Sequence, residues 1–331
     1  MKIDIYTHII PKKYIEVVDR TCSNIYYNRQ INEAIPSISD LDIRFRILDK
    51  YDGMMQVLTL GAPPIEAVAG PQEAFELARM ANDEMAELVS KYPDRFVSAV
   101  ASLPIANIDA ALNEIDRSIN ELKFRGVQIS TPINGKPIDL PEFFPLYEKM
   151  VSYNLPIRIH PMREINKPDY EGESNSKYQI WGIFGWPYET SAAMTRLIFS
   201  GILERLPDIK FITHHCGGMV PFFEQRIAAS YDMGEMRLKG RTKQRLTKPV
   251  IDYFKMFYAD TAVQSKAAIA CGYEFFGLDH LLFGTDMPYD NQLGLRYLRQ
   301  TVQAIEELDI PATAKKKIFE DNARKLLRLP I

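Results

Sequence analysis

The sequence opens with "MKIDIYTHIIPKKY" (residues 1–14), a strand-like segment that distinguishes between two α/β folds. It runs into "HIIPKKY", which lacks the glycine-rich turn that usually follows the first strand of a doubly wound sheet. Similar strand-like runs recur, separated by segments with apolar residues at helical spacing. They span residues 2–7, 55–60, 96–102, 126–130, 156–160, 209–213, 256–260 and 281–286. This alternation predicts one α/β domain over residues 1–331, a (β/α)8 TIM barrel, with the doubly wound sheet as the alternative.

Composition and charge limit the classes of function. Of the 331 residues, 46% are hydrophobic, and the net charge is only −3. Such a balance gives no electrostatic reason to expect nucleic acid or an anionic membrane as a partner. We find no signal segment and no apolar run of membrane-spanning length. The charge balance therefore favours a protein that acts on a small molecule. The cysteines Cys22, Cys216 and Cys271 show no C-x-x-C spacing, which favours a cytoplasmic location.

Two connections are longer than usual for a barrel. They span residues 11–40, after the first strand, and 161–189, after the fifth. Long loops that follow barrel strands lie on the C-terminal face, where active sites are built. Trp181 lies in the second loop within an aromatic cluster that could line a pocket for a planar substrate, because flat rings favour stacking.

Four of the five histidines fall at or just past the ends of predicted strands. They are His8, His160, His214 and His215, and Asp286 follows the last strand. The C-terminal ends of barrel strands meet at one mouth, so we expect these side chains to share a site. Two imidazoles and a carboxylate suit a divalent metal with open coordination positions, which predicts His8, His160 and Asp286 as ligands.

The adjacent histidines in "THHCGG" (213–218) should point to opposite sides if they lie on a strand. We expect His215, nearer the loop, to face the mouth and His214 to pack outward against a helix. Tyr6 lies two residues before His8, so strand alternation predicts that both side chains point into the site.

Together, these segments resemble the decarboxylases of the amidohydrolase-related (amidohydrolase 2) family, such as 2-amino-3-carboxymuconate-6-semialdehyde decarboxylase and the hydroxybenzoate decarboxylases. The resemblance covers nearly the whole chain. Its most specific parts are the opening segment, "IRIHP" (157–161), "WPYETSAAMTRLIFSGILERLPDIKFITHHCGGMVPFFEQR" (186–226) and "LLFGTDMPY" (281–289).

The resemblance implies a barrel with one divalent metal ion, most often Zn²⁺, with Mn²⁺ or Mg²⁺ as alternatives. It assigns His8, His160 and Asp286 to the metal and His215 to acid/base catalysis. Arg226, eleven residues after His215, resembles an arginine that holds a substrate carboxylate in a neighbouring subunit, which implies a homodimer. The family usually has histidine or glutamate where this chain has Tyr6, so Tyr6 is expected to contact substrate or to be a weak ligand.

These residues predict a metal-dependent, non-oxidative decarboxylase of a small aromatic or unsaturated carboxylic acid. A metal can act as a Lewis acid, an imidazole can transfer the proton, and an arginine can hold a carboxylate. Two alternatives stay open. The same ligands could activate water for hydrolysis of a lactone or an amide, and the change at Tyr6 could mark a non-catalytic barrel that only binds a ligand.

Overall fold

The computed structural model describes residues 1–21, 26–238 and 246–331. Cys22 lies outside these ranges. All strand pairings between the described strands are parallel. The strands are β1 (Lys2–Ile9), β2 (Met54–Leu60), β3 (Phe96–Ala99), β4 (Ala101–Ser102), β5 (Val127–Thr131), β6 (Ile157–Pro161), β7 (Phe211–Thr213), β8 (Tyr258–Asp260) and β9 (Leu281–Leu282).

Neighbouring strands in the sequence are also neighbours in space. They pair in the orders β1-β2-β3 and β4-β5-β6-β7-β8-β9. Only Val100 separates β3 from β4, and its N–H donates to the carbonyl of Leu58 at 3.0 Å. The two segments therefore form the third barrel strand, and the structure has the eight strands that the sequence predicts.

Hydrogen bonds between the first and last strands close the barrel. The N–H of Ile5 donates to the carbonyl of Phe283 at 2.9 Å, and the N–H of His8 donates to the carbonyl of Met287 at 2.7 Å. A doubly wound sheet would leave its edge strands unpaired. The prediction of a TIM barrel is confirmed. Closure places the first strand beside the last, so that side chains from the two ends of the sequence share one site.

Helices pack around the outside of the strands. They are α1 (Lys12–Thr21), α2 (Tyr26–Ala34), α3 (Leu41–Leu48), α4 (Ile65–Val68), α5 (Pro71–Lys91), α6 (Ile108–Asn120), α7 (Phe144–Tyr153), α8 (Trp186–Phe199), α9 (Ile202–Arg205), α10 (Glu224–Leu238), α11 (Val250–Phe254), α12 (Lys266–Phe276), α13 (Leu295–Glu306), α14 (Ala312–Lys316) and α15 (Asn322–Leu327). Short 3₁₀ turns occur at Pro36–Ile38, Pro141–Phe143, His215–Gly217 and Leu278–His280, and π turns at Trp181–Gly185 and Lys317–Asp321. Within the described ranges, no helix is both long and apolar enough to cross a membrane.

Local sequence explains how α6 begins. Asn107 precedes α6, and its side chain accepts a hydrogen bond from the N–H of Ala110 at 3.1 Å. This bond satisfies one of the N–H groups that a helix leaves unpaired at its start, and such a cap stabilises the protein by about 1 kcal/mol. The apolar face of α6, with Ala111 and Ile115, is then buried against the strands.

A change of register in β1 decides which of its side chains enter the barrel. Asp4 lies opposite Gln56 of β2, but Thr7 lies opposite Leu58, so two residues of β1 face one residue of β2. Those two residues are Ile5 and Tyr6. The extra residue reverses the alternation.

As a result, the lower barrel is apolar and the upper barrel is polar. Tyr6 and His8 face the mouth of the barrel, above a closely packed apolar core. The buried side chains of that core come from five barrel strands and from α15. They include Ile3, Ile5, Val57, Val97, Val100, Ile212, Leu282, Ala323, Leu326 and Leu327.

The two long connections take different forms. The first, residues 11–40, contains α1 and α2 within its described part. The second is less regular, since residues 162–179, all of them described, form turns without a helix or strand before the π turn at Trp181–Gly185. Both connections contribute residues to the cavity at the barrel mouth.

Candidate metal centre

Five polar side chains meet at the mouth of the barrel. The ligand atoms of His8, His160 and His214 lie within 4.8 Å of one another, and so do those of His214, His215 and Asp286. The Nε2 atom of His8 is 3.1 Å from a carboxylate oxygen of Asp286, and the Nε2 atom of His214 is 3.5 Å from the same oxygen. This spacing allows a single ion to bind between the imidazoles and the carboxylate.

The rings of His8 and His160 are oriented by hydrogen bonds on the side away from the centre. Nδ1 of His160 donates to the carbonyl of Pro161 at 2.8 Å. Nδ1 of His8 lies 3.1 Å from the hydroxyl of Thr59, which itself donates to the carbonyl of Thr7. Because these partners accept, both rings carry their proton on Nδ1, and both Nε2 lone pairs are free to bind a metal.

His214 follows the same arrangement with a charged partner. Its Nδ1 atom is 2.5 Å from Asp260, and both residues are fully buried. Burial by itself would lower the pKa of His214, but the negative charges of Asp260 and Asp286 outweigh it and raise that pKa to about 9. Among the protein groups alone, His214 is therefore protonated at neutral pH, and a metal would bind in place of this proton.

The expectation that His214 packs outward is wrong. β7 ends at Thr213, and Ile212 points into the barrel, so His214, two residues further on, points the same way. His215 has a φ of 51°, in the left-handed region, and this ends the strand alternation. Both histidines consequently reach the site, and only the inward position of Ile212 in the structure identifies His214 as a member of it.

The remaining ionisable groups of the centre depend on burial and on one another. Burial, together with the positive charges of neighbouring histidines, lowers the pKa of His160 well below its usual value. The same causes lower the pKa of His215 to about 3. Burial opposes ionisation of Asp286, but His214 and His8 hold its pKa well below the ordinary range. Among these groups, His160 and His215 are therefore neutral and Asp286 is ionised, the forms that bind metals.

Tyr6 points into the barrel as predicted, but it lies beneath the site. Its ring stacks on that of His214, with centroids 3.9 Å apart and planes 6° apart. Tyr6 is fully buried and is absent from the described lining of the main cavity, and its hydroxyl has no hydrogen-bond partner in the described part of the chain. Substrate binding by Tyr6 stays a prediction, and this position favours a role close to the metal ligands instead.

Asp4 is a positioning residue that sequence reasoning missed. Its carboxylate accepts hydrogen bonds from the N–H of Thr285 at 3.0 Å and from the hydroxyl of Thr285 at 2.5 Å. Burial raises the pKa of Asp4 to about 7, against the hydrogen bonds from Thr285 and Tyr6. Asp286, which follows Thr285 in the chain, has a φ of 67° and donates its N–H to the carbonyl of Tyr6. Asp4 therefore holds the segment that aims Asp286 at the centre.

A cavity of about 680 Å³ opens above the metal centre. His160, His215 and Asp286 reach its wall, as does Trp181, which was predicted to bind substrate. Trp181 packs edge-on against Trp186, with ring centroids 5.3 Å apart. The cavity is thus walled by flat rings on one side and by ionisable groups at its base, which is a suitable shape for a small planar acid.

Of the other residues considered for substrate binding, some line this cavity and others lie outside it. Arg226 is exposed on α10 and does not line the cavity of its own chain. Tyr289, which sequence reasoning missed, lines the cavity with its ring 5.2 Å from that of His8. Phe184 and Tyr188, which follow Trp181 in the second long connection and belong to the same aromatic cluster of the sequence, are exposed and are not part of the described lining.

The barrel and its histidine and aspartate centre define a metal-binding TIM-barrel protein of the amidohydrolase type. Comparison with known proteins makes this specific: residues 3–329 match the family model described as amidohydrolase (amidohydrolase 2), and the chain belongs to that family. The resemblance drawn from the sequence is confirmed.

Several relatives have the names of enzymes that act on small carboxylic acids. A 2-amino-3-carboxymuconate-6-semialdehyde decarboxylase from Dictyostelium discoideum is 29% identical, over 99% of this chain and 92% of that protein. A 2-keto-4-carboxy-3-hexenedioate hydratase from Sphingobium is 26% identical, over 88% of this chain and 85% of that protein. A crystal structure of 5-carboxyvanillate decarboxylase from Novosphingobium aromaticivorans, complexed with manganese and 4-hydroxy-3-methoxy-5-nitrobenzoic acid, has a TM-score of 0.86 and 25% identity. The match covers 99% of this chain and 96% of that one.

Proposed function

We propose that this protein is a metal-dependent, non-oxidative decarboxylase of a small aromatic or unsaturated carboxylic acid. The observation that carries the proposal is the set of inward-facing Nε2 atoms of His8, His160 and His214, beside the Asp286 carboxylate and below the cavity. Family membership and the decarboxylases among the relatives support it. The resemblance favours Zn²⁺, and the manganese in the related crystal structure supports Mn²⁺ as the first alternative, followed by Mg²⁺.

The residues divide into holding the ion and handling the proton. His8, His160 and Asp286 would hold the metal with His214 as a further ligand, and a bound metal would supply Lewis acidity at a substrate oxygen. His215 lines the cavity, whereas His214 does not, so His215 is the imidazole that a substrate can reach. His215 would relay a proton to the carbon that loses CO₂, and binding of the substrate would have to raise its pKa from about 3 for that role.

We also propose a role for Arg226 in substrate binding across a dimer interface. Its exposed position on α10 is compatible with a homodimer in which it enters the partner's cavity and binds the substrate carboxylate there. Exposed aromatic side chains nearby, Phe222 and Phe223, would then be covered by the partner. Cys216 and Cys271 are free thiols, which agrees with a cytoplasmic location.

Reactions of water are the second candidate. The hydratase among the relatives supports them, because that protein, 26% identical to this chain, is named for the addition of water. A metal held by the same residues would supply the activation of water that hydrolysis of a lactone or an amide, or hydration of a carbon-carbon double bond, requires.

Product analysis separates the candidates. The purified protein is analysed for metal, reloaded with Zn²⁺, Mn²⁺ or Mg²⁺, and incubated with hydroxybenzoates and carboxymuconate-like acids. We expect release of CO₂ without an oxidant, and no release by a His160→Ala variant, which lacks a ligand. Hydrolysis of lactones or amides, or hydration of an unsaturated acid, without CO₂ would replace the first candidate by the second. A protein that binds no added metal would overturn both and leave a non-catalytic barrel.

A further inference from the structure

A small recess opens beside His160, next to the main cavity. It has room for about one water-sized group, about 30 Å³. Besides His160, its polar lining comes from Glu66 on α4, Ser102 on β4, and Gln128 and Ser130 on β5. His160 and Met162 line both the recess and the main cavity. A molecule bound in the cavity could therefore extend one substituent into the recess.

Two side chains that line the recess, Glu66 and Gln128, each carry one buried oxygen atom that receives no hydrogen bond from the described part of the chain. The side-chain N–H of Gln128 donates to the carbonyl of Leu60 at 3.3 Å, and because a carbonyl can only accept, this bond orients the amide. The amide oxygen of Gln128 is then left buried without a partner in the described part of the chain, as is Oε1 of Glu66. Ser130 donates a hydrogen bond to the Glu66 carboxyl group, but it leaves Oε1 unpaired.

Unpaired acceptors of this kind select the chemistry of their ligand. A buried polar atom without a partner costs about 1–3 kcal/mol, so a group that donates to it binds more tightly than one that cannot. An anionic substituent would be repelled by both oxygens.

We propose that Glu66 and Gln128 form a subsite for a hydrogen-bond donor on the substrate, a single hydroxyl or amino group. The inference rests on the proposed function, because it assumes that the acid binds in the main cavity above His160. It restricts the substrate class to acids that carry such a donor at a position remote from the reacting carboxylate. A methyl group of similar size would fill the recess and leave both oxygens unpaired. The rival occupant is an ordered water, which could satisfy the same two acceptors.

Binding of matched ligands tests the subsite independently of turnover. Dissociation constants of 3-hydroxy-, 4-hydroxy-, 3-amino- and 4-aminobenzoate are measured by calorimetry on the metal-loaded protein and compared with those of 3- and 4-methylbenzoate. At one of the two ring positions, we expect the donor ligand to bind about tenfold more tightly than its methyl partner, from the cost of leaving a buried acceptor unpaired. In Glu66→Met and Gln128→Met, which keep the length of the side chain but remove the acceptor, the ratio should fall close to one.

Glu148→Met is the matched control, because Glu148 lies exposed on α7 and lines neither the recess nor the main cavity. It should keep the wild-type ratio. Equal binding of donor and methyl ligands to the wild-type protein, at both positions, would overturn the subsite and leave the recess to water, and so would a preference that survives in both methionine variants. The comparison on the wild-type protein needs no variant to fold. If hydroxy and methyl acids bind equally and both release CO₂, the subsite is refuted and the decarboxylase proposal stands. If donor ligands bind more tightly but no acid releases CO₂, the subsite stands and the decarboxylase proposal is refuted.

Discussion

Replacing Asp260 with asparagine should make the stability of the metal-free protein much less dependent on pH. The wild-type protein should lose stability between pH 6.5 and pH 9, and the variant should lose much less. Asp260 lies 2.5 Å from Nδ1 of His214, and its charge is the main reason that the pKa of His214 rises from 6.5 to about 9 despite burial. At about 1.4 kcal/mol for each tenfold change in proton affinity, this difference corresponds to about 3 kcal/mol.

The sign follows from linkage between proton binding and folding. Because the pKa of His214 is higher in the folded protein than in the unfolded chain, protonation stabilises the fold. This contribution is fully present below pH 6.5 and is lost as the pH rises through about 9. Without the Asp260 charge, burial should bring the pKa of His214 to its ordinary value or below. The variant should then be less stable than the wild type by about 3 kcal/mol at pH 6.5 and by much less at pH 9.

Urea unfolding in the presence of a chelator, repeated across this pH range, measures the effect. An NMR titration of the histidine ring nitrogens gives the pKa of His214 directly. Asp279→Asn is the matched control, because it makes the same substitution at an exposed carboxylate that pairs with Lys317. Its stability should follow the wild-type curve in shape. If the Asp260→Asn curve also runs parallel to the wild-type curve from pH 6.5 to pH 9, the proposed charge pair does not control the protonation of His214.

Three further substitutions test the assignments at the site. His215→Ala should abolish CO₂ release, because it removes the imidazole that lines the cavity, while metal content stays near that of the wild type; loss of metal in this variant would make His215 a ligand. Arg226→Ala should raise KM for the acid and change the free energy of unfolding by less than about 0.5 kcal/mol, because the side chain is exposed; unchanged kinetics would show that it is a surface charge. Gly218→Ala should destabilise the protein by about 3 kcal/mol, because Gly218 has a φ of 61° and a Cβ there would lie 2.4 Å from the carbonyl oxygen of Pro187. The control Gly234→Ala, on α10 with nothing within 4 Å of the added Cβ, should be neutral or stabilise by up to about 1 kcal/mol; equal effects of the two glycine substitutions would contradict the steric argument.

The barrel was predictable because its signals are local and repeated. Each strand-like run has its own β-branched residues, each helix has its own apolar spacing, and eight repeats leave few topologies to consider. The placement of His8, His160 and Asp286 together followed from the same topology, because the ends of parallel strands in a barrel must meet at one mouth. Here sequence and structure agree because no fine detail of packing is needed.

By itself, the sequence determined the family, the barrel and the strand ends that bear its ionisable groups. Tertiary structure decided how those groups are used. Strand alternation is a rule of period two, and it fails where β1 gains a residue at Ile5 and Tyr6 and where His215 adopts a left-handed backbone. The pairing of His214 with Asp260, 46 residues away, likewise depends on how neighbouring strands pack. Such contacts arise between segments distant in the chain, and a local pattern carries no information about them.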